Sequence, residues 1–198
     1  MADPARPLAL SPKVHPPAPT GYRPFPNLSW RNGLHASVEV PAMVRILRLP
    51  SDSRVLEVGC GRGMALAPVA RLCRPRVHAA IDIEPEFVAE ARAGASDNGI
   101  DVRLEVADIR RLPFDDGSFD VVIDFGTCYH IDRPESALSE IARVLAVGGL
   151  FVHETPLSQL LAHPIRTRGR ALPFTAAPSL RPARWAGLWA ARQKQADH

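Results

Sequence analysis

The sequence predicts an α/β fold with a mainly parallel sheet, and three observations carry the prediction. Short apolar runs alternate with amphipathic stretches through the middle of the chain. The first run, Val55, Leu56 and Val58, ends in glycine at every second position, Gly59, Gly61 and Gly63. Acidic residues then recur at the carboxyl ends of successive runs. Alternating strands and helices pack as parallel strands with right-handed crossovers and helices on both faces. Ligands of such sheets sit beyond the carboxyl ends of the strands, where the strand order reverses.

Composition narrows the class. A chain of 198 residues, 46% of them hydrophobic, suffices for one domain with a real core. No run approaches the roughly 18 apolar residues of a membrane helix. The opening MADPARPLALSPK has no sustained apolar segment of the secretory kind. A cytoplasmic protein without a membrane partner is expected. Cys60, Cys73 and Cys128 are scattered and form no CxxC pair, so neither a disulfide framework nor a metal site is expected. A net charge of +3 gives no reason to expect a nucleic-acid partner.

In chain order, residues 1–30 hold Pro4, Pro7, Pro12, Pro16, Pro17, Pro19, Pro24 and Pro26, which rules out regular helix or central strand and predicts an extended or disordered arm. Tyr22, Phe25 and Trp30 suggest that its inner end folds over the domain, set at residues 31–157. From His35 to Leu49, Val40, Met43, Val44 and Leu47 recur at helical spacing, with Pro41 expected in the first turn. Strand one and the glycine turn follow, then a helix over Met64–Leu72, a strand over Val77–Ile83, a helix over Pro85–Ala95 opened by Pro85 and Glu86, and a strand over Val102–Val106. Val121, Val122 and Ile123 suit a fourth strand, Asp120–Phe125, buried on both faces. Glu135–Leu145 is an amphipathic helix, read as ending at Gly148 and Gly149, and Leu150–Val152 is a fifth strand. Residues 158–198 read as a basic tail interrupted by Pro164, Pro173, Pro178 and Pro182, with a short closing helix around Leu188, Trp189 and Arg192. Its arginines suit either solvent or an acidic substrate.

The acids at the strand ends are Glu57, Asp82, Asp108, Asp124 and Glu154. Asp108, Asp116 and Asp120 could equally cap turns. A dinucleotide fingerprint needs GxGxxG, but Met64 stands where its last glycine belongs. A pyrophosphate would also be repelled by Glu57, so the head of the ligand at this turn is read as cationic or zwitterionic.

Four segments together, EVGCGRG (57–63), AIDIEPEFVAEAR (80–92), VADIRRLPFDDGSFDVVI (106–123) and EIARVLAVGGLFV (140–152), resemble the class I S-adenosylmethionine-dependent methyltransferases, most closely the small-molecule branch called type 11. The resemblance spans about residues 52–153. It implies a Rossmann-like three-layer α-β-α sandwich and S-adenosyl-L-methionine as cofactor. Carried over by position, it puts Glu57, Gly59, Cys60, Gly61 and Gly63 around the methionine portion, Asp82 on the ribose hydroxyls, Ile83 against adenine, Asp108 with Ile109 at the adenine amino group, and Phe125 and Gly126 beside the sulfonium. His130, just past strand four, is the candidate base for a small-molecule O, N or C acceptor, with His153 and Glu154 as second choices. Cys128 and Tyr129 are candidate pocket walls. The family's sheet ends in an antiparallel hairpin that the proline-broken tail does not suggest, so a sheet shortened to about five strands is expected, and homodimerisation through its edge stays open. Two other readings follow: a non-catalytic S-adenosylmethionine-binding or interaction module on a truncated fold and, more distantly, an NAD-dependent oxidoreductase.

Overall fold

The computed structural model describes residues 28–162 and 171–196. The expectation for the proline-rich arm therefore falls, apart from its last residues, outside the described part of the chain. The helical entry starts earlier than periodicity predicts. Helix α1 (Ser29–Leu34) passes through a wide turn at His35–Glu39 into α2 (Val40–Ile46). In that turn the Val40 N–H reaches back five residues to the His35 carbonyl. Pro41 falls in the first turn of α2, as expected, although α2 continues a helical run that begins earlier. It has no N–H to donate and its ring crowds the preceding turn, which the widening accommodates.

Strand β1 (Arg54–Val58) is central and leads to α3 (Leu66–Cys73), β2 (Val77–Asp82), α4 (Pro85–Asp97), β3 (Arg103–Val106) and β4 (Phe119–Asp124). A single helical turn α5 (Thr127–His130) precedes α6 (Pro134–Val144), β5 (Leu145–Glu154) and α7 (Pro156–Ala162). Strands β6 (Leu180–Ala186) and β7 (Trp189–Lys194) complete one seven-stranded sheet, ordered β3-β2-β1-β4-β5-β7-β6. The first five run parallel and the last two join antiparallel. Order reverses at β1, which lies between β2 and β4, so the crevice that binds ligands in such sheets opens there.

Burial on both faces explains the apolar runs. Leu56 and Val58 pack with Val122, Phe151 and the α6 residues Leu138 and Ile141 on one face. Val55, Val121, Ile123 and Val152 meet Val40, Met43 and Val44 of α2 and Val69 of α3 on the other. Ion pairing closes the amino ends of the central strands: Asp120 accepts the Arg54 backbone N–H at 2.9 Å, the Arg54 guanidinium at 2.6 Å and Arg76 at 3.0 Å.

Three expectations are corrected. The sheet is not shortened to five strands. The closing segment is a strand, not a helix: Trp189 and Ala191 alternate inward on β7 and join the α2/α3 face of the core. Leu188 and Arg192 only imitate helical spacing. Pro182 is tolerated because β6 is the outer strand, where a missing N–H costs least, and the register shifts just beyond it. Gly148 and Gly149 do not end α6. They lie inside β5, next to the irregularity opposite Phe119 and Val121, and a side chain at Gly149 would meet the Asp120 carbonyl at 3.0 Å.

Part of the tail's basic charge is spent on backbone. Arg184 donates to the Leu47 and Arg48 carbonyls behind α2, Arg192 to Leu180 at 2.9 Å, and Lys194 to Leu145 at 2.9 Å. The hairpin is therefore part of the core's support. Trp189→Ala should cost about 3–5 kcal/mol in urea unfolding, whereas Trp185→Ala, on the same hairpin but 74% exposed, should change stability by less than about 0.5 kcal/mol. Equal effects would contradict this placement of β7.

Candidate active site

The turn after β1 is shaped by backbone that only glycine adopts easily. Gly59 has φ +67°, and a side chain there would collide with Thr127 on α5. Gly61 has φ +52° with nothing within 4 Å of a would-be Cβ, so its bare backbone faces open space. Its N–H donates to Asp82 Oδ2 at 2.8 Å, while Glu84 N–H donates to Oδ1 at 3.0 Å. The ends of β1 and β2 are thus tied together, and both carboxylate oxygens keep lone pairs for a ligand.

A cavity of about 570 Å³ lies over this junction. Of the residues singled out in the sequence, Gly59, Gly61, Asp82, Ile83, Asp108, Ile109, Phe125, His130 and Glu154 line it together. Glu57, Cys60, Gly63 and Gly126 lie behind the lining. The Cys60 N–H bonds the Ile81 carbonyl at 2.9 Å, and Gly63 leaves room for Ala91 of α4. A side chain at Gly126 would collide with Gln159 and crowd Glu154 at 3.1 Å. Cys128 is buried in the core, Tyr129 donates to the Glu154 carbonyl at 3.2 Å, and His153 is buried against Phe151 and Phe174.

Electrostatically the floor and the rim differ. Glu57, Asp82, Asp124 and Glu154 are all buried. Burial, reinforced by the charges of Asp82 and Asp124, pushes the Glu57 carboxyl up to about 8, and its Oε2 has no hydrogen-bond partner. Burial also raises Asp82 and Asp124, against the backbone N–H groups that they accept, and lifts Glu154 to about 7. Asp124 accepts the Thr127 N–H at 2.6 Å and the Cys128 N–H at 3.2 Å, which fixes α5 on the end of β4. At the rim, burial works to raise Asp108, but hydrogen bonds and charge from Arg110 outweigh it and hold the carboxyl below its usual range. Arg110 grips Asp108 at 2.7 Å and also pairs with Asp132.

Sequence reasoning placed the inner end of the arm, with Trp30, over the domain but named no other residue of the far wall. Leu28, Trp30, Arg31, Asn32 and His35 of the helical entry, together with Thr127, Ile131 and Leu161, also line the cavity. One signal was available, a His35 and Glu39 pair at the i,i+4 spacing that brings side chains together on a helix. Among the described residues no group of His, Cys, Asp and Glu could hold a metal ion, and no helix is long and apolar enough to cross a membrane.

This topology, with its glycine turn at the switch point and an acid on the neighbouring strand end, defines a Rossmann-like class I methyltransferase fold. Residues 56–153, about half of the chain, match the family described as a methyltransferase domain, and the chain belongs to that family, in its type 11 branch. It is 34% identical over 100 residues to a fatty-acid O-methyltransferase of Mycolicibacterium smegmatis, covering 50% of this chain and 36% of that protein. It is 35% identical over 118 residues to a ubiquinone biosynthesis O-methyltransferase of Xanthomonas axonopodis pv. citri, covering 57% and 48%. Among solved structures, a geranyl diphosphate C-methyltransferase of Streptomyces coelicolor in complex with S-adenosyl-L-homocysteine superposes with a TM-score of 0.64 at 20% identity, covering 80% of each chain. The chain thus spans about a third to a half of the length of these two curated relatives.

S-adenosyl-L-methionine is the cofactor of this family, and the residues present fit it. An unpartnered buried carboxylate oxygen at Glu57, bare backbone at Gly61 and two part-used carboxylate oxygens at Asp82 suit a ligand with a cationic head and a hydroxyl-bearing sugar.

The Glu57 shift carries a sign. A carboxyl whose folded value lies above its unfolded value of 4.5 contributes stability that is present below pH 4.5 and lost as pH rises through about 8. Glu57→Gln should therefore stabilise the ligand-free protein, by roughly 2–4 kcal/mol at pH 8 and little at pH 4.5. Thermal melts of both proteins across that range check this, and a gap independent of pH would show that Glu57 is not held in its uncharged form.

Proposed function

We propose that the protein transfers the methyl group of S-adenosyl-L-methionine to an O, N or C nucleophile of a small-molecule acceptor. The observation that carries the reading is the Asp82–Gly61 hydrogen bond, because it gathers an acid and bare backbone from adjacent strand ends at one cavity above the unpartnered Glu57. The non-catalytic alternative was motivated by a truncated sheet, and the sheet has seven strands. Two relatives, an O-methyltransferase of fatty acids and one of ubiquinone biosynthesis, support an acceptor that is small. Buried free thiols at Cys60, Cys73 and Cys128 support a reducing, cytoplasmic setting. Neither a nucleic acid nor a membrane enters the reading, and the oligomeric state is left out of it.

When bound, the cofactor supplies a methyl group already activated by a sulfonium leaving group. The work left to the protein is positioning, charge compensation and exclusion of water. In this reading Glu57 acts through its field, favouring a positive head group above the turn of Gly59, Cys60, Gly61 and Gly63. Asp82 accepts from the ribose hydroxyls and Ile83 packs on adenine. Asp108 and Ile109 lie toward the adenine edge, where an amino group would share the Asp108 lone pairs with Arg110. Phe125 and Gly126 border the path of the methyl group, and His130 faces the acceptor.

Calorimetric titration with S-adenosyl-L-methionine and S-adenosyl-L-homocysteine should show binding of both at one site. Asp82→Ala should weaken each by about 1–3 kcal/mol, the value of hydrogen bonds to a charged acceptor. Absence of binding to the wild-type chain would overturn the reading, and unchanged affinity in Asp82→Ala would remove the ribose from that residue.

A further inference from the structure

The wide turn between α1 and α2 is the one irregular stretch of the helical entry, and it begins at a residue that lines the cavity. Single wide turns inserted in helices occur often at functional sites. Here the turn sets the His35 ring among the lining residues, edge-on to Phe125 with ring centroids 4.7 Å apart. Phe125 follows directly after β4, at the position read as bordering the methyl path. On its other side the ring has Glu39: His35 Nδ1 lies 2.8 Å from Glu39 Oε2, and Arg31 Nη1 bonds the same oxygen at 2.8 Å.

The Glu39 carboxyl is held below its usual range, first by its hydrogen bond with His35 and then, against burial, by Arg31. It is therefore a carboxylate, with no proton to donate, so Nδ1 must be the donor. In the neutral ring the lone pair then sits on Nε2, the form that accepts a proton, and the imidazolium produced is stabilised by the anion behind it. The other charged side chains on the cavity are Asp82, Glu154 and the Asp108–Arg110 pair.

We propose that His35, steered by Glu39, is the general base for the acceptor. The inference rests on the methyl-transfer reading and adds a catalytic residue to it. The acceptor's O–H or N–H proton passes to Nε2, and its electron pair forms the new bond to the methyl carbon. The carbon–sulfur electron pair returns to sulfur. One positive charge thus moves from the sulfonium to the imidazolium, and Glu39 is the positioning residue that lies nearest to receive it.

The test uses the full chain saturated with S-adenosyl-L-homocysteine and 4-nitrophenol as a probe acid whose ionisation is visible by its colour. In the wild type the ionisation midpoint of the bound phenol should fall by about 1–3 pH units relative to free phenol, the effect of a nearby opposite charge. His35→Gln should abolish that fall, Glu39→Gln should reduce it, and Glu39→Asp should restore part of it. His130→Gln is the comparison that separates the two histidines lining the cavity. Calorimetric affinity for S-adenosyl-L-homocysteine, measured on every variant, should stay unchanged and reports folding. If the wild type binds no S-adenosyl-L-homocysteine, the methyl-transfer reading and the base fall together. If it binds, the base alone is overturned by any of three results: no saturable binding of 4-nitrophenol, the same midpoint in His35→Gln as in the wild type, or loss of the shift in His130→Gln instead.

Discussion

A carboxyl group buried without a partner is the constraint on which this structure turns. β1 is covered on both faces, so Glu57, one residue before its end, is buried and its Oε2 has no hydrogen-bond partner. A buried carboxylate in such a place is expensive, and two further acids nearby raise the expense. The fold retains the group where a positive charge arriving from outside would relieve it. Lower intrinsic stability at neutral pH and selectivity for a cationic ligand are then two aspects of one residue, a trade seen wherever sites keep strain that the rest of the core must support.

The rim is organised on the opposite principle. Arg110 joins Asp108 to Asp132, and Arg31 shares Glu39 with His35, so charge around the entrance is compensated within the protein. A cation approaching the cavity therefore meets pairs that are mutually satisfied before it meets the floor, where the imbalance lies. Leu28, Trp30, Ile131 and Leu161 add apolar surface to the cavity wall.

The parallel part of the sheet was legible because β1, β2 and β4 are largely apolar runs buried on both faces, and because Pro85 marks a helix start in sequence as in structure. The acids were legible for a related reason: a charged residue closing an apolar strand has few structural explanations. The hairpin was not legible. β6 buries Leu180 and then exposes residues 181–185, so it shows no period of two, and the inward positions of β7 that alternate clearly are only Trp189 and Ala191. Part of what holds this pair is Arg184 and Lys194 bonding carbonyls far away in sequence, which no local pattern encodes. His35 escaped for a different reason. An i,i+4 pair with Glu39 has the look of an ordinary surface bridge, and only the widened turn makes it a wall of the cavity.

The outer strand has a consequence for how the molecule meets its own copies. Arg181, Pro182 and Arg184 lie along it, all exposed, and Arg184 is engaged on the Leu47 and Arg48 carbonyls. An outer strand that carries an exposed cation beside a residue without an amide hydrogen makes a poor template for a further β-strand. On this flank the sheet has a built-in terminus, so self-assembly by continuous β-addition is disfavoured there.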